Sequence, residues 1–313
     1  MINKIQITNY CGFSCSNCFS CESELENQLH VSIEDFVYML DFVKGNRFLI
    51  LGGGDPMLHP QFDKILEIVN RNEDLHFIME THLLYNKKQI DFLIEKFNRG
   101  SYTVMLNTTT QYSNKKDILL ENISLLKAKG KVIKGKVIIE QDTDMDSLFE
   151  IISESKLKRI SWELGLNVDC KEWTDKQIEE YYTKIKDKAI SLINFGLEKD
   201  IVTQNECGNI PLCFLNAEDI RTMAYSSNMQ QGNIYNFVCE PSIVFTPDMQ
   251  AFRCKNIGEY VDIRDLKNFN QLYRFFVNEL DNKLYKNNML SACGKCLIKD
   301  KNRKCGCLIF KEA

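Results

Sequence analysis

Six short apolar or β-branched runs divide the first half of this chain: Lys4 to Asn9, Phe48 to Leu51, His76 to Glu80, Tyr102 to Leu106, Lys136 to Gln141 and Arg159 to Glu163. Between them lie segments whose apolar residues recur at helical spacing. That alternation constrains the fold most, because strands separated by helix-length crossovers pair in parallel. Ser32, followed by Asp35 and the apolar face Phe36, Met39, Leu40 and Val43, predicts a capped helix ending at Lys44 and Gly45. Further helices are predicted over Gln61 to Arg71, Lys88 to Phe97, Asp117 to Ala128 before Gly130, Asp146 to Ser155, and Asp175 to Phe195 before Gly196. The rhythm is expected to stop near residue 200.

Directly after the first run stand Cys11, Cys15 and Cys18, spaced C-x3-C-x2-C. Three thiolates on one tight loop suit three irons of a four-iron four-sulfur cluster and leave the fourth iron open for chemistry. A structural zinc knot competes with this reading, although zinc sites favour paired C-x2-C-like motifs that supply four ligands.

The triplet and its flanking Ile7-Thr8-Asn9-Tyr10 resemble the radical SAM superfamily. The resemblance implies that the open iron chelates S-adenosylmethionine, whose reductive cleavage yields a 5′-deoxyadenosyl radical. It also implies an α/β fold, a partial (β/α)6 TIM-like barrel. The family usually places an aromatic residue before the third cysteine, whereas Asn17 stands here with Phe13 and Phe19 nearby.

In a βα barrel the chemistry sits on loops leaving the C-terminal strand ends. After the second run comes Gly52-Gly53-Gly54-Asp55-Pro56, similar to the family's Gly-Gly-Glu-Pro motif, with aspartate for glutamate. By that likeness Gly53, Gly54 and Asp55 bind the methionyl amino group of S-adenosylmethionine. Asn107, at the fourth exit, is a candidate ribose contact, and Glu140 another, against the simpler reading of polar residues ending strands. His82, at the third exit, is a candidate substrate or proton-handling residue, weighed against an ordinary loop histidine. His59 reads as a loop residue. Cys21 is either a bystander beside the cluster or a reactive thiol.

The remaining cysteines cluster late. Cys207, Cys213, Cys239, Cys254, Cys293, Cys296, Cys305 and Cys307 all follow residue 200, with only Cys170 between the two fields. Ile243 to Thr246 and Ala251 to Arg253, joined by Pro247-Asp248-Met249, predict a β-hairpin, and Leu266 to Leu284 a helical segment. This half resembles the SPASM and twitch extensions of radical SAM enzymes, with Met249 where their hairpin has glycine. The likeness implies a barrel over residues 1–200 and a small cysteine-rich α+β extension over 201–313. The eight late cysteines suffice for one or two auxiliary four-iron clusters, the one-cluster set being Cys239, Cys254, Cys293 and Cys296. Zinc is the alternative, since thiolates bind both.

Thirty-nine basic and 43 acidic residues nearly balance, so no global field recruits nucleic acid or an anionic membrane. No signal-like start or membrane-length apolar run is present, and a cytoplasmic protein with reduced thiols is expected. The resemblance implies a maturase that abstracts hydrogen from a peptide or protein and leaves a crosslink, an epimerised centre or an oxidised side chain, with a flavodoxin or ferredoxin as electron donor. Because the first strand is expected near residue 4, no N-terminal peptide-recognition domain is expected. That keeps open a twitch-type dehydrogenase of a small molecule and, from another class, a non-catalytic iron–sulfur or zinc protein.

Overall fold

The computed structural model describes residues 3–13, 28–106, 115–165, 173–207, 210, 212–229, 242–253 and 259–276 of the 313. Within these the βα rhythm predicted from sequence is present. β1 (Asn3–Thr8), β2 (Phe48–Gly53), β3 (His76–Thr81), β4 (Ser101–Met105), β5 (Ile133–Ile139) and β6 (Arg159–Leu164) alternate with helices, each strand within a few residues of its expected place. The chain separates into two compact units. One is Met1–Met105, Thr109–Lys134 and Pro241–Val277; the other is Leu106–Thr108, Gly135–Glu240 and Asn278–Ala313.

In the first unit β1, β2, β3 and β4 pair in parallel in that order. The strands are apolar toward the helices, where Ile5, Ile7, Leu49, Leu51, Phe77 and Met79 are fully buried. Helix α1 (Ile33–Phe42) starts where Ser32 Oγ accepts from the Asp35 N–H, as its sequence predicts. Phe36 and Met39 then fill the core. α2 (Phe62–Arg71) and α3 (Lys87–Lys96) follow β2 and β3. The helix Lys116–Ala128 ends shortly before Gly130, which adopts φ 72°.

The hairpin is present as well. β8 (Val244–Phe245) and β9 (Gln250–Phe252) are antiparallel, and β10 (Tyr260–Asp262) pairs with β9. Met249 takes φ 69°, the left-handed conformation that a glycine adopts without cost. Its burial at 2% exposure offsets a strain of about 1 kcal/mol. β8 pairs in parallel with β1, Lys4 against Val244 and Ile5 against Phe245. The hairpin is therefore an extension of the first unit's sheet, on the far side of β1 from β2. Of the helix expected over Leu266 to Leu284, the described part is Phe269–Arg274 followed by Phe275 and Phe276.

In the second unit β5, β6 and β7 (Val202–Cys207) pair in parallel. β7 corrects the expectation that the rhythm stops at residue 200: the helix Asp175–Glu198 is a further crossover. Gly196 does not stop that helix. A Cβ there would stand 2.5 Å from Thr203 Cγ2, so the glycine lets the helix lie close against β7.

Candidate functional site

The described residues around Cys11 lie in the first unit, where the loops leaving β1, β2 and β3 meet. Residues Ile7 to Tyr10 close the base of the first loop. Ile7 C=O accepts from Val31 N–H, Asn9 N–H donates to Leu29 C=O, and Asn9 Oδ1 accepts from Leu29 N–H at 2.7 Å. Thr8 Oγ1 accepts from Tyr10 N–H at 3.0 Å and meets His30 Nδ1 at 2.9 Å. The loop that contains the cysteine triplet is thus stapled where it leaves and where it returns.

The second loop is built directly on the first. Gly54 N–H donates to Thr8 C=O at 2.7 Å and Asp55 N–H to Tyr10 C=O at 2.8 Å. Gly53 adopts φ 116°, and a Cβ on Gly53 or Gly54 would collide with the backbone of Thr8 or Tyr10. These glycines therefore serve the close approach of two loops. Gly52 has its own reason. Lys4 on β1 and Glu80 on β3 form an ion pair that passes over it, and a Cβ would stand 2.8 Å from Lys4 Cε.

Asp55 is 5% exposed and its Oδ1 accepts from both Met57 N–H and Tyr85 OH. Both bonds fall on one oxygen, leaving Oδ2 to take a further donor. Burial raises its carboxyl above the usual range; the bonds from Tyr85 and Met57 and the nearby His82 work against that shift. Burial also holds the Tyr85 hydroxyl well above its ordinary range, with the Asp55 charge adding to the effect. Tyr85 therefore stays protonated as a donor.

The third loop brings His82 to the cysteine loop. Its Nε2 lies 3.5 Å from Cys11 Sγ, and its ring packs against Phe13 at 4.8 Å between centroids. Lys115 Nζ stands 5.0 Å from the centroid of Phe13. The turn is held from three sides. Leu83 takes φ 55°, its N–H donates to Thr81 Oγ1 at 2.9 Å, and Thr81 Oγ1 meets Tyr85 OH at 2.7 Å. Asn122, buried on the helix Lys116–Ala128, donates to the carbonyls of Leu83 and Tyr85 at 2.9 and 2.8 Å.

His59, taken as a loop residue, is a structural pin. It is 4% exposed, its Nδ1 accepts from Gln61 N–H at 3.1 Å, and its Nε2 meets Val31 C=O at 2.9 Å. The first bond fixes the neutral tautomer with the proton on Nε2. Tyr85, Asn122 and His30 were not anticipated. Asn122 had a signal, since it shares the apolar stripe of Leu119, Ile123 and Leu126, and a polar residue on such a stripe needs partners.

Residues 5–139 match the model of the radical SAM superfamily. This stretch is a radical SAM domain. Streptococcus suis SuiB bound to S-adenosylmethionine shares its fold at 14% identity and a TM-score of 0.65, covering 98% of this chain and 73% of that one. A histidine-tagged anSMEcpe with bound AdoMet does so at 16% and 0.66, over 98% and 85%. SuiB bound to the precursor peptide SuiA matches at 14% and 0.62, over 97% and 74%. No curated protein sequence matches the chain. The α/β fold, with its parallel strands, is shared with these structures.

Cys11 is half-buried, and it, Cys207 and Cys213, the described cysteines, form no disulfide. Cys207 ends β7, and Cys213 lies in the short helix Leu212–Phe214; both are exposed. Glu140, in the second unit, is half-buried just after β5, and its N–H donates to Thr143 Oγ1 at 2.7 Å. Cys15, Cys18, Cys21, Asn107, Cys170, Cys239, Cys254, Cys293, Cys296, Cys305 and Cys307 lie outside the described residues. A half-buried thiol at a strand exit, beside an imidazole and a carboxylate with an unused oxygen, fits the donor chemistry of a cluster with S-adenosylmethionine. Among the described residues no helix is long and apolar enough to cross a membrane.

Proposed function

We propose that this radical SAM enzyme modifies a peptide or protein. The observation that carries the reading is the convergence of Cys11, the Gly53-Gly54-Asp55 loop and His82 on one edge of a fold shared, over nearly the whole chain, with SuiB, which takes a precursor peptide. When bound, the cluster and S-adenosylmethionine supply a 5′-deoxyadenosyl radical that removes hydrogen from an unactivated carbon. The chain's residues position and shield that chemistry. Cys11, with Cys15 and Cys18, ligates the cluster. Tyr85 and Met57 hold Oδ1 of Asp55, so Oδ2 would accept from the methionyl ammonium, and the Gly53–Gly54 backbone would border the same group. Asn107 would contact the ribose.

In this reading the barrel strands run through β7, and the cysteine-rich residues after it carry the auxiliary clusters, with their hairpin joined to the sheet at β1. Cys207, Cys213, Cys239, Cys254, Cys293, Cys296, Cys305 and Cys307 would hold one or two auxiliary clusters, which would accept an electron from the substrate or bind it. A flavodoxin or ferredoxin supplies the initial electron.

Reduced, cluster-loaded protein incubated with S-adenosylmethionine and peptides encoded beside its gene is expected to release 5′-deoxyadenosine and change the mass of one peptide. No 5′-deoxyadenosine would remove the enzyme reading; release with a small molecule and no peptide change would remove the peptide. Asp55→Asn tests the ammonium contact. The amide oxygen retains the Tyr85 and Met57 bonds but loses the charge, so affinity for S-adenosylmethionine should fall about tenfold, roughly 1.4 kcal/mol. Burial favours the protonated acid, so the cost of the charged form appears as pH rises through the raised folded pKa. At pH 7.5 the variant should melt no lower than the parent, and calorimetry measures both quantities.

A further inference from the structure

We propose that His82 is a positioning residue for the cluster. It donates a hydrogen bond from Nε2–H to Cys11 Sγ, and this bond raises the cluster's reduction potential. The inference rests on the reading that Cys11 is a cluster ligand. As a ligand Cys11 is a thiolate with no proton to give, so at 3.5 Å the donor is the imidazole N–H. A donor on a ligating sulfur withdraws charge and favours the reduced, more negative cluster.

The placement of His82 is built into the fold. Leu83 beside it holds a left-handed φ of 55°, a conformation strained for a branched residue that persists only when its surroundings enforce it. They do so through Thr81, which accepts from Leu83 N–H, and through the two bonds from buried Asn122. On its other side the ring meets Phe13, two residues after Cys11 in the cysteine loop. A histidine held only by solvent would have neither the strained turn nor the aromatic contact. His82 thus connects the third strand exit to the first, where its sequence position suggests only a substrate or proton-handling residue or an ordinary loop histidine.

The test uses reconstituted holoenzyme, poised anaerobically and followed by electron paramagnetic resonance. The relevant signal is the one that changes when S-adenosylmethionine is added and is missing in Cys11→Ala. His82→Phe retains a ring against Phe13 without a donor; His82→Gln retains an N–H near the position of Nε2. The midpoint of His82→Phe should move to lower potential, so that its reduced signal is severalfold smaller at the poise that half-reduces the parent. His82→Gln should titrate with the parent.

Equal midpoints for the parent and His82→Phe overturn the proposal, as does a shift in His82→Gln as large as that in His82→Phe. If His82→Phe does not retain its iron, the parent labelled with ¹⁵N-histidine decides. A nitrogen coupling to the reduced cluster that vanishes in His82→Gln supports the bond, and no coupling overturns it. A parent whose signal is unaffected by Cys11→Ala would instead fault the cluster assignment, which separates the two failures.

Discussion

His59 and His30 stand edge to face at 5.4 Å between ring centroids, beside the staple that closes the cysteine loop. Burial lowers the pKa of both, and for His59 the neighbouring His30 charge adds to the effect. The folded state then binds the proton less readily than the unfolded chain, whose histidines titrate near 6.5. The stability they contribute is complete above about pH 6.5 and is lost as pH falls through their lowered folded values. The melting temperature of the loaded protein should therefore drop between pH 7.5 and 5. His59→Gln, which retains a donor for Val31 but does not titrate, should flatten that dependence in parallel thermal melts; an unchanged slope would show that His59 is not its source. From sequence, His59 was a loop residue and nothing more. Gln61 is a local partner, but Val31, 28 residues earlier, meets it only after the chain has folded.

The turn between β3 and α3 depends on a helix that follows it by some thirty residues. Asn122 is 4% exposed, and its two bonds satisfy the carbonyls of buried Leu83 and Tyr85. Asn122→Leu retains the volume and leaves both carbonyls without a donor, at a cost of about 2–3 kcal/mol. Denaturant unfolding should show that loss, and an unchanged midpoint would mean that the turn finds another donor. The helix itself was legible, because Leu119, Ile123 and Leu126 recur at helical spacing and Gly130 marks its end. The hairpin of β8 and β9 was legible too, from Pro247-Asp248 between two apolar runs. Its pairing with β1 was not, because no local pattern specifies which edge a short strand will join.

Across the whole molecule, 13 cysteines set an upper limit on metal content that the described residues leave open. With auxiliary clusters present, anaerobically purified protein should contain iron and sulfide at two or three times the content of one four-iron cluster. Cys11→Ala should lower iron by about four per chain and leave the remainder. Stoichiometric zinc with about four irons per chain would instead assign the late cysteines to zinc. The second unit also shows where reading by rhythm stopped short. β7 carries Thr203, Gln204, Asn205 and Glu206, too polar to read as a buried strand, yet it pairs along β6 because the helix Asp175–Glu198 delivers it there.

By itself the sequence determined the alternation of strands and helices, the family of its first half and the spacing that marks the candidate cluster thiols. Those are properties of short segments, readable from hydrophobic period and from cysteine spacing. Only the tertiary structure decided that Gly53 and Gly54 serve loop-to-loop packing, that Asp55 has one oxygen engaged by Tyr85 and Met57, and that His82 stands beside Cys11. Each of these joins residues from different strand exits or from separate turns of one loop. The hydrogen bonds and close approaches that create them exist only once the parallel strands are in register.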